Sequence, residues 1–119
     1  MRVYSWNVLG IALSRFGVFL HDFEQEVDWD VLLLQELTGA INSQVINGFM
    51  NKTAHKVIFA APVVGSRACG IVIHHRIRHY IIPESELSRP RAISICIHWE
   101  GWNLRLVVEH LAAVRSREI

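Results

Sequence analysis

The sequence predicts an α/β domain built on a mixed sheet, with helices early and antiparallel strands late. Three observations carry this. The apolar runs 3–7 and 30–36 are separated by one helix-sized segment, a spacing that makes the two strands parallel neighbours. Between them Phe16, Phe19, Leu20, Phe23 and Val27 recur at helical spacing on one stripe. From residue 68 onward, β-rich runs alternate with turn chemistry at Pro83, Pro90 and Glu100-Gly101.

The elements follow in order. Val3-Tyr4-Ser5-Trp6-Asn7 is the first strand. Gly10 then loosens the backbone and Ser14 is placed to cap the helix, whose wet side carries His21, Asp22, Gln25 and Glu26. Val31 to Leu34 are four apolar residues without alternation, the pattern of a strand covered on both faces. A short helix is expected over 40–50, ending near Gly48, and a strand over 55–62. Strands are expected at 68–77, 91–99 and 104–110, the last two forming a hairpin about Gly101. In the first arm of that hairpin Ile93, Ile95 and Ile97 share one face, and Ser94, Cys96 and His98 the other. Trp99 and Trp102 straddle the turn and are expected to pair across it, whereas Trp6 and Trp29 are expected in the core.

Composition narrows the classes. The 119 residues form one domain, 51% apolar and only 19% charged, which excludes a disordered chain. A net charge of +1 provides no global field for nucleic acid, although Arg76, Arg78, Arg89, Arg91, Arg115 and Arg117 cluster locally. The two cysteines, Cys69 and Cys96, read as small buried thiols of a reducing compartment. With no secretory signal and no membrane-length apolar stretch, an intracellular protein is expected.

Glu36 is the strongest candidate for chemistry, because it follows a buried strand directly and projects from the sheet edge where open α/β folds bind ligands. Asn7 closes the neighbouring strand, so a carboxamide oxygen lies beside a carboxylate, a half-site suited to a hard divalent cation such as Mg2+. His110 ends the last strand, where an imidazole can donate to a phosphoryl oxygen or protonate a leaving group. His74 and His75, adjacent in the expected strand 68–77, would face opposite ways, which argues against joint chelation. His55 has no ligand-like spacing to a cysteine or carboxylate.

Taken together, Tyr4-Ser5-Trp6-Asn7-Val8, Asp30-Val31-Leu32-Leu33-Leu34-Gln35-Glu36, Cys69-Gly70-Ile71-Val72-Ile73 and His110-Leu111 resemble the endonuclease/exonuclease/phosphatase superfamily in order and spacing. The resemblance implies a four-layer α/β sandwich, of which this chain is one half, supplying about one sheet with its inner face open. It implies Glu36 as the magnesium ligand, with Mn2+ as an alternative metal, and Asn7 in the metal and phosphate site. Gln35 would support Glu36 from behind, and His110 would contact the scissile phosphate. The implied reaction is in-line attack of water on phosphorus, on nucleic acid or another phosphoester.

The sequence departs from that pattern in holding no Gly-Asp-x-Asn and no Ser-Asp-His, the family's later motifs. Three readings stand at this point. One is a Mg-dependent phosphodiesterase present as its amino-terminal half, completed by a C-terminal half; a 5-phosphatase- or sphingomyelinase-like enzyme is a variant, since His110-Leu111-Ala112-Ala113 also resembles a 5-phosphatase stretch. Another is a non-catalytic remnant or binding module that keeps the metal half-site. The third is an unrelated α/β interaction domain whose matches are coincidental, a reading that comes first if Asn7 and Glu36 lie far apart.

Overall fold

A computed structural model describes residues 1–39, 41–60 and 67–109. Strand β1 (Val3–Asn7) leads into helix α1 (Leu13–Glu26) and strand β2 (Val31–Leu37). Helix α2 (Ser43–Thr53) and strand β3 (Lys56–Phe59) follow, then β4 (Ala68–Ile73) and a 3-10 helix over His75–Tyr80. Strands β5 (Leu87–Arg89), β6 (Ala92–Trp99) and β7 (Trp102–Glu109) complete the described chain. One sheet runs β1-β2-β4-β3 and the other β5-β6-β7. The first is mixed: β1 pairs parallel with β2, while β2, β4 and β3 pair antiparallel.

The expected parallel pair is therefore present, with α1 as its crossover. Phe16 and Leu20 are buried, but the helical stripe is rotated from the expected one: Leu13 joins it, and Phe19 turns outward at 42% exposure. Ala12, not Ser14, occupies the N-cap position, without a side-chain cap. Helix α2 starts and ends later than expected, capped by Asn42 and closed by Ala54 in a left-handed conformation. Gly48 lies inside it.

β2 is buried on both faces, as its unbroken apolar run requires. On one face Leu32 and Leu34 pack with Phe16, Leu20, Trp29 and Phe49 beneath the helices. On the other, Val31 joins Ile71 and Ile73 of β4 against Ile93, Ile95 and Ile97 of β6. The two sheets thus meet face to face, and this corrects the expectation of a single sheet with an open inner face. Part of the apolar excess of the sequence is buried in a second core between the sheets. Glu100 and Gly101 close the β6–β7 hairpin with both φ angles positive, the geometry of a two-residue turn that matches strand twist, and Trp99 faces Trp102 in register.

One correction matters below. β4 ends at Ile73, not at residue 77, because the backbone turns at His74 into the 3-10 helix. No helix among the described residues is long and apolar enough to cross a membrane.

Candidate functional site

Asn7 and Glu36 meet at the carboxyl end of the parallel pair. Asn7 lies opposite Gln35 in register, and its side-chain Nδ2 donates to Glu36 Oε2. Its Oδ1 accepts from the Leu9 backbone N–H at 2.9 Å, a turn that fixes the carboxamide plane. The requirement that the two residues be neighbours is met.

Glu36 owes its position to a bulge. Leu34 pairs with Gly70 and Leu37 with Ala68, so Gln35 and Glu36 together face Cys69 alone. At this bulge Glu36 adopts φ 62°, the left-handed region that non-glycine residues avoid at a cost of about 1–2 kcal/mol. The extra residue turns the carboxylate out of the sheet, where its side chain is 22% exposed. The loop after β1 holds the same corner, since Gly10 N–H donates to the Glu36 carbonyl at 2.8 Å and Val8 N–H to the Gln35 carbonyl at 3.0 Å. Gln35 donates to Ser5 Oγ and to the Leu33 carbonyl, both at 3.0 Å, tying β1 to β2 just behind Asn7.

A third residue reaches the carboxylate. Arg67, immediately before β4, donates from Nη1 to Glu36 Oε1 and forms an ion pair with it. Its guanidinium also lies where a Cβ on Gly10 would fall, at 3.2 Å, so the glycine at φ 85° both makes the turn and leaves room for the arginine. Arg67 was missed by sequence reasoning. The available signal was topological: the residue just before a strand antiparallel to β2 must lie beside the last residues of β2. His110 lies outside the described residues.

The donor set fits a hard cation. It combines a carboxylate with a carboxamide that turns Nδ2, not the expected oxygen, toward Glu36, while Oδ1 accepts from Leu9 and keeps a second lone pair. The carboxylate already pairs with one cationic group, the Arg67 guanidinium.

At the other end of the first sheet lies a second polar cluster. Asp30, 8% exposed, accepts from the Arg2 backbone N–H at 2.7 Å and from Arg76 at 2.9 Å. Burial alone would raise its carboxyl, but these two donors hold it below the ordinary carboxylate value. His55, His74 and His75 gather beside it, with ring centroids 4.4–5.1 Å apart. Burial lowers His55, opposed by its partner Glu24. Burial, then the neighbouring His55 and Arg76, pushes His74 down to about 4.

No protein-family sequence model and no curated protein matches the chain. Two solved structures share its fold. The endonuclease domain of TRAS1, a telomere-specific non-LTR retrotransposon, aligns with a TM-score of 0.59 and 16% identity over 93% of this chain and 46% of that one. An endonuclease/exonuclease/phosphatase family protein from Leptotrichia buccalis C-1013-b aligns with a TM-score of 0.59 and 14% identity, over 98% and 57% respectively. The chain thus spans about half the length of each structure it matches. The likeness is one of fold, over about half of each of these two proteins.

Proposed function

We propose that this chain carries the divalent-cation half of a phosphoester-hydrolysing site, with magnesium as the ion and nucleic acid as the substrate class. The observation that carries the reading is Glu36, a non-glycine residue held at φ 62° on a bulge so that its carboxylate turns out beside Asn7. Strained backbone at a sheet edge is retained where a side chain must be aimed. The fold shared with two phosphoesterase-type proteins, one of them an endonuclease domain, supports the same reading.

In this proposal Glu36 and Asn7 Oδ1 hold the ion, and Gln35 steadies the strand pair behind them. A bound Mg2+ would supply charge neutralisation at the phosphoryl oxygens. Arg67, paired with the same carboxylate, would lie beside such an ion, and its guanidinium is of the kind that meets phosphate oxygens bidentately. His110 is assigned to the scissile phosphate by its resemblance to the family's His-Leu strand end.

The test is a Mg2+ titration followed by thermal unfolding, on the chain and on Glu36→Gln, together with a plasmid-nicking assay. A Mg2+-dependent rise in Tm that disappears in Glu36→Gln supports the half-site. An equal rise in both proteins rejects it. Nicking by the chain itself makes it a nuclease; metal binding without nicking leaves it a binding module or a half that needs completion. Cleavage of a soluble phosphomonoester but not of DNA would move the substrate to the 5-phosphatase-like class.

A further inference from the structure

The three histidines at the far end of the sheet have no part in the reading above. His55 immediately precedes β3, and His74 immediately follows β4. Because Lys56 pairs with Ile73, the antiparallel register brings those two flanking residues together. The turn at His74 then folds His75 back beside them, so the adjacent pair faces one way instead of two. One ligand atom from each of the three lies within 4.8 Å of the others.

We propose that His55, His74 and His75 form a binding site for a zinc-class transition-metal ion. Imidazole nitrogens suit zinc, copper and nickel and are poor ligands for magnesium. Zinc–nitrogen distances of about 2.0–2.1 Å place tetrahedral ligand atoms about 3.3 Å apart, so the three nitrogens close by at most about 1.5 Å around an ion. His75 is exposed and its ring nitrogens make no hydrogen bond among the described residues, so it is able to swing inward.

The supporting contacts are already arranged. His55 Nε2 bonds Glu24 Oε1 at 2.8 Å, the carboxylate–histidine pairing that orients metal-ligating imidazoles. That leaves Nδ1 to face the ion, in exchange for the His75 backbone N–H it accepts from at 3.0 Å. His74 Nδ1 accepts from the Arg76 backbone N–H at 3.2 Å, leaving Nε2 for the ion. Arg76, the nearest cation, is drawn off to Asp30 and the Trp29 carbonyl.

A separate observation points to the same place. Trp29 is 1% exposed and packs edge-on against both His55 and His74, yet its indole N–H has no hydrogen-bond partner among the described residues. A buried donor without an acceptor is costly. A water or anion carried in the fourth position of an ion beside it would offer one.

The experiment is calorimetric titration of the 119-residue chain with Zn2+ at pH 7.5, repeated with Co2+ while visible absorption is recorded. The expected result is one equivalent bound, with the intense d–d bands of four-coordinate cobalt, undiminished by a large excess of Mg2+. His75→Ala removes an exposed ring and should leave the fold intact while weakening zinc binding at least tenfold. Glu24→Gln, which keeps the shape but not the charge, should weaken it about 10–100-fold. No stoichiometric zinc, or zinc bound equally well by His75→Ala, would overturn the proposal. Failure here leaves the Glu36 reading untouched, because the two sites lie at opposite ends of β2.

Discussion

Replacing Glu36 by glycine and by alanine separates the backbone's contribution from the carboxylate's. Both substitutions delete the same contacts, to Asn7 and to Arg67. They differ in the cost of φ 62°. Alanine retains the left-handed penalty of about 1–2 kcal/mol, whereas glycine does not. Glycine gains about 0.4–1 kcal/mol of chain entropy in the unfolded state, which offsets part of that difference. The net expectation is that Glu36→Gly is more stable than Glu36→Ala by about 1 kcal/mol. At a urea dependence of roughly 2 kcal/mol per molar, that separates their midpoints by about 0.5 M. Equilibrium urea unfolding followed by tryptophan fluorescence, with and without 10 mM Mg2+, measures it. Neither variant should gain stability from Mg2+. If the glycine variant is no more stable than the alanine one, the bulge is unstrained and the argument from strain to function fails. If both still respond to Mg2+, the carboxylate is not the ligand.

Three further outcomes are expected. Arg67→Ala removes a cation competing for Glu36; a half-exposed ion pair is worth at most about 1 kcal/mol, so Mg2+ affinity should rise up to about fivefold in calorimetry, and weaker binding would mean that Arg67 positions the carboxylate instead. Gly70→Ala places a Cβ 2.7 Å from the Phe59 ring and 2.9 Å from the Ile58 carbonyl oxygen. The ring can rotate but the carbonyl cannot, so a loss of about 1–3 kcal/mol in urea is expected, only partly recovered by adding Phe59→Ala. Asp30→Asn tests the acid limb: its folded carboxyl lies below the unfolded value of 3.8, so its contribution is present above about pH 4 and is lost as pH falls further. The variant should be less stable by about 1–2 kcal/mol above pH 5, after allowance for the partly exposed Arg76, and the gap should close toward pH 2. A gap independent of pH would show that the charge is not what matters.

Much of this was legible in the sequence, and the exceptions share a physical origin. The parallel pair, the two-sided burial of Val31 to Leu34, the Ile93-Ile95-Ile97 face and the Gly101 hairpin are local patterns with one dominant solution. Their register alone places Asn7 beside the end of β2 that carries Glu36. The bulge was not legible, because glutamate has no preference for the left-handed region; tertiary pairing on both sides of β2 imposes it. Strand β5 is three exposed residues, Leu87-Ser88-Arg89, too short to show a period. The end of β4 was misplaced because His74-His75-Arg76-Ile77 is acceptable strand sequence, and only the 3-10 turn reveals the histidine cluster. The second core was missed for a related reason: alternation shows which residues face inward, not what they face.

β2 explains why the polar clusters lie at two ends of one sheet. Its middle, Val31 to Leu34, is sealed on one side by the helices and on the other by β6, and an unpaired polar group there would cost several kcal/mol. Polar function is therefore confined to the residues that flank the sealed stretch. At the amino end Asp30 uses its carboxylate structurally, clamping Arg2 and Arg76, while the β3–β4 register brings together the histidines that follow β4 and precede β3. At the carboxyl end the strand cannot simply run on, because its next side chain would alternate back into a core. The bulge breaks that alternation by one residue, and it is this break that lets a carboxylate leave the sheet immediately after a fully buried run. Removing the bulge while keeping Glu36 in the sequence should therefore abolish metal binding as completely as removing the carboxylate itself. Deletion of Gln35 realises that test: it restores a two-residue alternation from Leu34 to the next outward position, and Mg2+-dependent stabilisation in such a variant would show that the aim of the side chain does not depend on the bulge.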